Sequence, residues 1–128
     1  LFTARSLAKL YALLANGGAL GGVRLISQKT LEQATTVQEP TGKHSGIPFA
    51  MRWRLGYHRI APTRGLPSAA FGHFGFGGSG AWGDPERELS VALIVNSGLG
   101  TPFGDLRTAR IGGAALGCAN ARPEADRH

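Results

Sequence analysis

A histidine followed at once by clustered glycines is the part of this sequence whose residue types and spacing could do chemistry. In the stretch His73-Phe-Gly-Phe-Gly-Gly-Ser-Gly80, four glycines fall within the six residues 75–80, which begin two positions after the histidine. Glycine within a strand costs stability and marks a bulge or the close approach of a ligand or another backbone. The stretch therefore predicts a wall without side chains beside His73, whose backbone N–H groups can stabilise an oxyanion.

The same stretch has two other interpretations, and its surroundings argue against both. The spacing Gly75-x-Gly77-x-x-Gly80 fits a dinucleotide-binding loop, but such a loop opens a helix, whereas this one runs into a predicted turn at Asp84-Pro85. Ser79 lies among glycines, but a nucleophile elbow needs a glycine two positions after the serine, where Ala81 stands. We therefore interpret Ser79 as a structural serine.

Two helices are predicted before the glycine-rich stretch. Apolar residues recur with helical spacing between Thr3 and Asn16, which predicts a first helix that Gly17-Gly18 ends. The chain is thus expected to begin within a helix. Ser27 is a suitable N-cap for a second helix, which we predict over residues 28–38.

Three strands and a final helix are predicted in the rest of the chain. Strict alternation of large apolar residues with polar or small ones over Phe49–His58 predicts a half-buried strand. The glycine-rich stretch is predicted to be extended from Ala70 to Trp82, and Leu89–Val95, apolar on both faces, to be a central strand. A last helix begins at Gly104 or Asp105.

These elements predict an α+β fold. It consists of two N-terminal helices, a three-stranded antiparallel sheet, since short links join consecutive strands, and a C-terminal helix packed on the sheet. We expect one domain over residues 1–119 and a polar tail over 120–128.

Composition narrows the classes of function. The chain has 128 residues, of which 42% are hydrophobic, enough for one domain with a core. Its net charge of +6 is scattered without a basic run or basic–aromatic interleaving, so we predict no nucleic-acid partner. No apolar run reaches the roughly 18 residues of a membrane span. Cys118 is the single cysteine, which excludes an internal disulfide and argues against a metal site, and no cofactor is predicted.

At this point the sequence resembles a known family. Phe71–Ser79, Asp84-Pro85 and Val95-Asn96 resemble the C-terminal part of the serine β-lactamase and penicillin-binding-protein-like hydrolases, in particular the branch of class C β-lactamases and related carboxylesterases. Residues 4–11, 16–18 and 22–27 resemble the helix–loop–helix that precedes this part in the family. The resemblance covers nearly the whole chain and implies a partial β-lactamase-like fold.

The resemblance implies a role for each residue of the wall. The family carries Lys-Thr-Gly or His-x-Gly on a strand that lines the active site, and the matching triplet here is His73-Phe74-Gly75. By this resemblance, His73 holds a proton or orients the substrate carbonyl or carboxyl, and the backbone N–H of Phe76 is an oxyanion donor. Gly75 and Gly77 are expected to keep the wall free of side chains.

The attacking group of that family is missing from this chain. No Tyr-x-Asn occurs, and Ser6-Leu-Ala-Lys9 spells the family's Ser-x-x-Lys within the segment that resembles a later helix. We therefore interpret Ser6 as an exposed helix serine. The resemblance then implies the C-terminal portion of a serine hydrolase that cleaves ester or amide carbonyls through an acyl-enzyme and is inactive alone. The alternatives are a non-catalytic binding module that keeps the fold, and a basic protein that binds nucleic acid or a membrane surface.

The resemblance also bears on substrate and partners. Small-molecule esters and lactams are both candidates, and Phe74 favours esters because, where many relatives carry Thr, it offers no hydroxyl to a substrate carboxylate. Family members draw further strands from their N-terminal part. We therefore expect an unpaired sheet edge, an exposed apolar face around Trp53 and Tyr57, and self-association or pairing with the missing part. Trp82 is expected to close the far edge of the wall.

Overall fold

The computed structural model describes residues 2–38, 51–98 and 105–123. Its helices are α1 (Ala4–Ala15), α2 (Gln28–Thr35) and α3 (Leu106–Ala121). Its strands are β1 (Ala19–Leu20), β2 (Val23–Arg24), β3 (His58–Arg59), β4 (Phe71–Phe74), β5 (Gly80–Asp84) and β6 (Leu89–Leu93). β1 and β2 form a small hairpin, and β3, β4, β5 and β6 form an antiparallel sheet in chain order. The predicted α+β class is confirmed, but the described part of the sheet has four strands rather than three.

Local capping determines where α1 begins and ends. Thr3 and Ser6 form a capping box, so the helix begins at Ala4 and does not continue from earlier residues, contrary to the expectation that the chain begins within a helix. Gly17 and Gly18 have φ values of +70° and +86° and end the helix as predicted.

The other two helices begin close to the predicted positions, α2 after its predicted N-cap and α3 after Asp105, one of the two predicted starts. Ser27 caps α2 and Asp105 caps α3, each through its side-chain oxygen. α2 ends at Thr35, earlier than predicted, and α3 continues to Ala121, past the residue where the tail was expected to begin. The parts of these predictions that lie outside the described residues are Gly104 and residues 124–128.

The glycine-rich stretch is a hairpin, so the prediction of one extended strand from Ala70 to Trp82 is wrong. β4 pairs with β5 in a register that places Phe74 opposite Gly80, and residues 75–79 form the loop between them. Gly78 has a φ of +88°, a conformation that glycine adopts without strain and that helps the chain to reverse. Pattern and glycine content predicted extended backbone here but not the point where it turns back.

The segment 51–57 is irregular, so the strand predicted over Phe49–His58 is wrong for its described part before β3. Arg52 has a φ of +49°, outside the extended region. The Arg54 N–H donates to the Tyr57 carbonyl at 2.9 Å, which bends the chain into a turn. The part of this prediction that lies outside the described residues is Phe49-Ala50.

Burial in this segment departs from the predicted alternation at Trp53, Arg54 and Leu55. Trp53 is 42% exposed and Leu55 is 59% exposed, although both were placed on the buried face. The Arg54 guanidinium instead turns inward and donates to the carbonyls of Thr35, at 2.6 Å, and Ser68, at 3.3 Å. Because the last carbonyls of a helix lack partners within the helix, the end of α2 attracts this cation.

The turn after β5 forms as predicted, but β6 has a different place in the sheet. The Arg87 N–H donates to the Asp84 carbonyl at 3.3 Å within the predicted turn. Among the described residues β6 pairs only with β5, so it is an edge strand there and not the predicted central strand.

The sheet lies between α1 and α3. Successive residues of β5 point to opposite faces of the sheet, so they face the two helices in turn. Gly83 faces α1, where an added Cβ would lie 3.0 Å from the Tyr11 carbonyl oxygen. Trp82 faces α3, is 1% exposed and packs beside Gly112. Trp82 is therefore a core residue, and the expectation that it closes the far edge of the wall is wrong.

Candidate functional site

The residues predicted to form the wall lie together at one end of the sheet. His73 is on β4, and Gly75, Phe76 and Gly77 follow it in the loop that leads to β5. All four are exposed, including the Phe76 side chain, which is 65% exposed. We call residues 73–77 the wall. The imidazole and the loop are therefore both accessible from solvent.

The two glycines assigned to the wall face open space, unlike the glycine that follows them. An added Cβ would meet nothing within 4 Å at Gly77, and at Gly75 only the Ser79 carbonyl oxygen, 3.7 Å away. At Gly78 an added Cβ would collide with the Asp105 side chain. The loop thus combines glycines that leave room for a ligand with one that lets the loop pack on the start of α3.

Side chains from distant parts of the chain hold this loop in place. Ser79 Oγ accepts the Val95 N–H at 2.9 Å and donates to the Val95 carbonyl at 3.2 Å. Thr108 Oγ1, on α3, donates to the Gly78 carbonyl at 2.9 Å. Ser79 is therefore engaged as a structural serine, in agreement with its interpretation from the sequence.

The backbone N–H groups of the wall alternate between the two sides of β4. The Gly75 N–H points toward β5 and donates to the Ser79 carbonyl at 2.9 Å. The Phe74 N–H points to the other side and donates to His58 Nε2 at 3.1 Å. Phe76 lies beyond β4, in the turn that the Gly78 N–H closes by donating to the Gly75 carbonyl at 2.9 Å. Within residues 2–38, 51–98 and 105–123 the Phe76 N–H has no acceptor.

His58, which the sequence analysis did not single out, lies directly beside His73. The ring centroids are 5.0 Å apart and the ring planes make an angle of 63°. His58 is 8% exposed, with Nδ1 2.8 Å from the Arg59 carbonyl oxygen. Because Nε2 accepts the Phe74 N–H, we assign the proton to Nδ1, which then donates to that carbonyl.

The surroundings of His58 favour its neutral form. Burial lowers the pKa of His58, the hydrogen bond to the Arg59 carbonyl opposes this shift, and positive charge on His73 and Arg54 lowers the pKa further. In the sequence, His58 occupied only a polar position of an alternating run. The pairing of β3 with β4, which sets Arg59 opposite Phe71, is what brings it to the wall.

An aromatic cluster supports the wall on the α1 side. The rings of Tyr11, Tyr57 and Phe71 pack with centroids 5.2 to 6.5 Å apart. Burial, with repulsion from Tyr57, raises the pKa of Tyr11 to about 12 against an opposing hydrogen bond to the His73 backbone. Tyr11 thus stays protonated near neutral pH. Since Tyr57 is half-buried in this cluster, the apolar face expected around Trp53 and Tyr57 is exposed at Trp53 but not at Tyr57.

The Ser-x-x-Lys sequence lies apart from the wall. Ser6 Oγ accepts the Thr3 N–H at 3.1 Å and donates to the Thr3 carbonyl at 3.0 Å, so the cap of α1 engages this hydroxyl. Ser6 and Lys9 border a cavity of about 450 Å³ between α1 and the β1–β2 hairpin, and no residue of the wall lines it. This geometry supports the interpretation of Ser6 as a helix serine.

The described residues contain no group of three or more His, Cys, Asp and Glu side chains placed to hold a metal ion. No helix in those ranges has both the length and the apolar character to cross a membrane. Cys118 is an exposed free thiol on α3.

Known proteins resemble this chain over most of its length. A family model described as Beta-lactamase matches residues 1–116. The chain is 35% identical over 94 residues to the esterase/beta-lactamase LipL of Mycobacterium tuberculosis (strain ATCC 25618 / H37Rv), an alignment that covers 73% of the chain and 21% of that protein.

Two solved structures are also similar to most of this chain. A novel penicillin-binding protein homolog from Caulobacter crescentus superposes with a TM-score of 0.69 at 35% identity, over 89% of the chain and 32% of that protein. A family VIII carboxylesterase superposes with a TM-score of 0.69 at 36% identity, over 88% of the chain and 30% of that protein. The chain thus spans about a fifth of the length of the curated relative and about a third of the solved ones.

Proposed function

The chain belongs to the β-lactamase family, and from this premise we propose that it supplies one wall of the active site of a serine hydrolase. The reaction is the cleavage of an ester or amide carbonyl through an acyl-enzyme. His73 orients the substrate carbonyl or carboxyl or holds a proton, the Phe76 N–H donates to the oxyanion, and the backbone at Gly75 and Gly77 leaves room for the substrate. The observation that carries the proposal is the Phe76 N–H, which lies in the loop after the exposed His73 and has no acceptor among the described residues.

The hydrogen bonds that fix the loop suit the Phe76 N–H to the role of an oxyanion donor. When a hydroxyl attacks a carbonyl, negative charge develops on the carbonyl oxygen, and donors already in place stabilise it without reorganising. The bonds from Ser79 to Val95 and from Thr108 to Gly78 fix the loop that carries the Phe76 N–H. The donor is thus held in position before a substrate binds.

The attacking hydroxyl comes, in this proposal, from polypeptide other than this chain. The two serines considered as nucleophiles are both engaged, Ser6 in the cap of α1 and Ser79 with the Val95 backbone. An oxyanion donor without a nucleophile leaves only a small residual rate enhancement. We therefore expect the chain by itself to have little or no hydrolytic activity.

Esters are the favoured substrate class within this proposal. One relative is named an esterase/beta-lactamase and one neighbour a carboxylesterase, so both esters and β-lactams are candidates. The Phe74 ring packs against Trp82 and Ile60 on the α3 side of the sheet. It offers no hydroxyl to a substrate carboxylate, such as the one that β-lactams carry, which supports esters.

The outer edge of β6 suits a pairing role. Within the described residues β6 has one strand neighbour, β5, so its other edge carries N–H and C=O groups that another strand can bind. We propose that this edge pairs with further polypeptide of the hydrolase, or with a second copy of the chain when that is absent. Sedimentation of the chain as a monomer at low micromolar concentration would contradict the second part.

A chimeric enzyme tests the proposed function. Residues 1–116 replace the matching C-terminal part of the family VIII carboxylesterase, and hydrolysis of p-nitrophenyl esters and nitrocefin is measured beside the chain alone. We expect the chimera to hydrolyse the esters, and His73→Ala to lower kcat/KM by about a hundredfold. Lys9→Ala, an exposed position on α1, is the control that leaves the rate unchanged.

A fluorophosphonate probe supplies the complementary measurement. We expect it to label the chimera and not the isolated chain, since the reactive serine lies outside the chain. Labelling of the isolated chain would contradict the proposal. An active chimera that is insensitive to His73→Ala would contradict the role of the wall, and a well-folded but inactive chimera would favour a non-catalytic binding module.

A further inference from the structure

His58 fills a position in the sheet that a longer strand would otherwise occupy. β3 contains only His58 and Arg59, which lie opposite Gly72 and Phe71 of β4. Immediately before His58 the chain turns out of the sheet, where the Tyr57 carbonyl accepts an N–H from its own segment. The His58 imidazole therefore accepts the outward N–H of β4 in place of a strand carbonyl.

The backbone N–H groups of Phe74, at the end of β4, and of Phe76, in the loop, consequently differ. The one at Phe74 is bound to His58 Nε2 at 3.1 Å, whereas the one at Phe76 has no acceptor in the described part of the chain. If the Phe74 N–H were also free, a substrate oxygen would have two donors available, two residues apart. Because His58 accepts the Phe74 N–H, only the Phe76 N–H is left for the developing oxyanion.

We propose that His58 is a positioning residue of the wall. Its neutral imidazole accepts the Phe74 N–H and so holds the edge of β4. The Phe76 N–H and the His73 ring then meet the substrate in one arrangement. The proposal rests on the function proposed for the wall. His58 itself contacts no reacting atom. Its effect passes through the β4 backbone and through the edge contact between the two imidazoles, whose centroids are 5.0 Å apart.

The state of the His58 ring decides whether it can act in this way. With the proton on Nδ1 the ring donates to the Arg59 carbonyl and accepts at Nε2, which satisfies both nitrogens. A second proton, at Nε2, would turn that nitrogen into a donor, so it could no longer accept the Phe74 N–H. The charged or titratable groups that act on the ring are His73 of β4 and Arg54 of the segment 51–57, both basic, and its other ring neighbour is Trp53, 5.8 Å away.

Two substitutions separate the hydrogen bond from the packing. His58→Phe keeps a ring between Trp53 and His73 but removes the acceptor, and His58→Gln keeps an acceptor without the ring. In the 128-residue chain, NMR hydrogen exchange of the Phe74 amide is measured for both. We expect exchange about tenfold faster in His58→Phe, the size of effect for one lost hydrogen bond, and near the original rate in His58→Gln.

The chimeric esterase gives the catalytic measurement. If His58 positions the wall, His58→Phe lowers kcat by about tenfold with little change in KM, because the loss falls on the transition state, and His58→Gln restores most of kcat. A Phe74 amide that keeps its protection in folded His58→Phe would overturn the proposal. Faster exchange with an unchanged kcat would also overturn it, because His58 would then be structural only.

Two further outcomes remain decisive. If the chimera with native His58 is inactive, the proposed function fails, while the amide measurement still shows whether His58 holds the β4 edge. If His58→Phe does not fold, the unmodified chain is acidified and the protection factor of the Phe74 amide is followed. Loss of protection as His58 gains its second proton supports the proposal, and protection that persists through that titration overturns it.

Discussion

The two ends of the β4–β5 hairpin use glycine in opposite ways. Toward the core end, Gly72 lies opposite Trp82, and an added Cβ would collide with the backbone of β5. In the loop, an added Cβ at Gly77 would meet nothing within 4 Å. Glycine in the first case lets two strands and a large ring pack closely, and in the second it leaves a surface open. The comparison shows that one hairpin uses glycine both for close packing and for an open surface.

The largest expected effect comes from the core end. Trp82→Ala should lower the free energy of unfolding by about 3–5 kcal/mol, because it removes a ring that is fully buried between the sheet and α3. Urea denaturation followed by circular dichroism measures this. Trp53→Ala, at a position 42% exposed, is the control and should cost no more than about 1 kcal/mol. Equal losses in the two variants would contradict the placement of Trp82 in the core that supports the hairpin.

The loop itself contains both kinds of glycine, and alanine scanning separates them. Gly78→Ala should cost about 2 kcal/mol or more, because φ is +88° and the new Cβ collides with the Asp105 side chain. Gly77→Ala should change stability by less than about 0.5 kcal/mol, yet lower the esterase rate of the chimera, since its methyl group enters the open side of the wall. Similar stabilities for the two variants would contradict the distinction between the packed Gly78 and the open Gly77.

The hydrogen bonds that join the loop to its neighbours predict a smaller effect. Ser79→Ala should lower the free energy of unfolding by about 1–2 kcal/mol, since both backbone groups of Val95 lose their partner. Thermal or urea unfolding measures the change. Ser97→Ala, at an exposed residue of the connection after β6, serves as the control and should stay within about 0.5 kcal/mol. A neutral Ser79→Ala would show that the loop does not depend on this contact.

The smallest expected effect is a pH dependence that originates at His58. Since burial lowers its pKa in the native state, the unfolded state takes up a proton first as the pH falls below the ordinary value of about 6.5. The unfolded state then binds more protons, so the free energy of unfolding should decrease on acidification. Urea midpoints of the chain and of His58→Gln, compared from about pH 7.5 to about pH 5, isolate this part of the slope. Identical slopes in the two proteins would contradict it.

The residues assigned to the wall are close neighbours in the chain. His73, Gly75, Phe76 and Gly77 fall within five consecutive residues, so the resemblance assigns them together, and their role stays a prediction. The partners that give the wall its form come from elsewhere. His58 reaches it through the β3–β4 pairing, and Thr108 reaches the loop from α3. No spacing in the sequence connects these residues to the wall.

By itself the sequence determined the features whose cause lies within a few residues. The caps of the helices at Thr3, Ser27 and Asp105 form because each side chain satisfies N–H groups two or three positions away. Tertiary structure decided where an alternating run becomes a strand and which amide remains open. At residues 51–57, the pull of the α2 carbonyls on Arg54 outweighed the period of two, because a pattern along the chain does not contain the partners that folding brings to it.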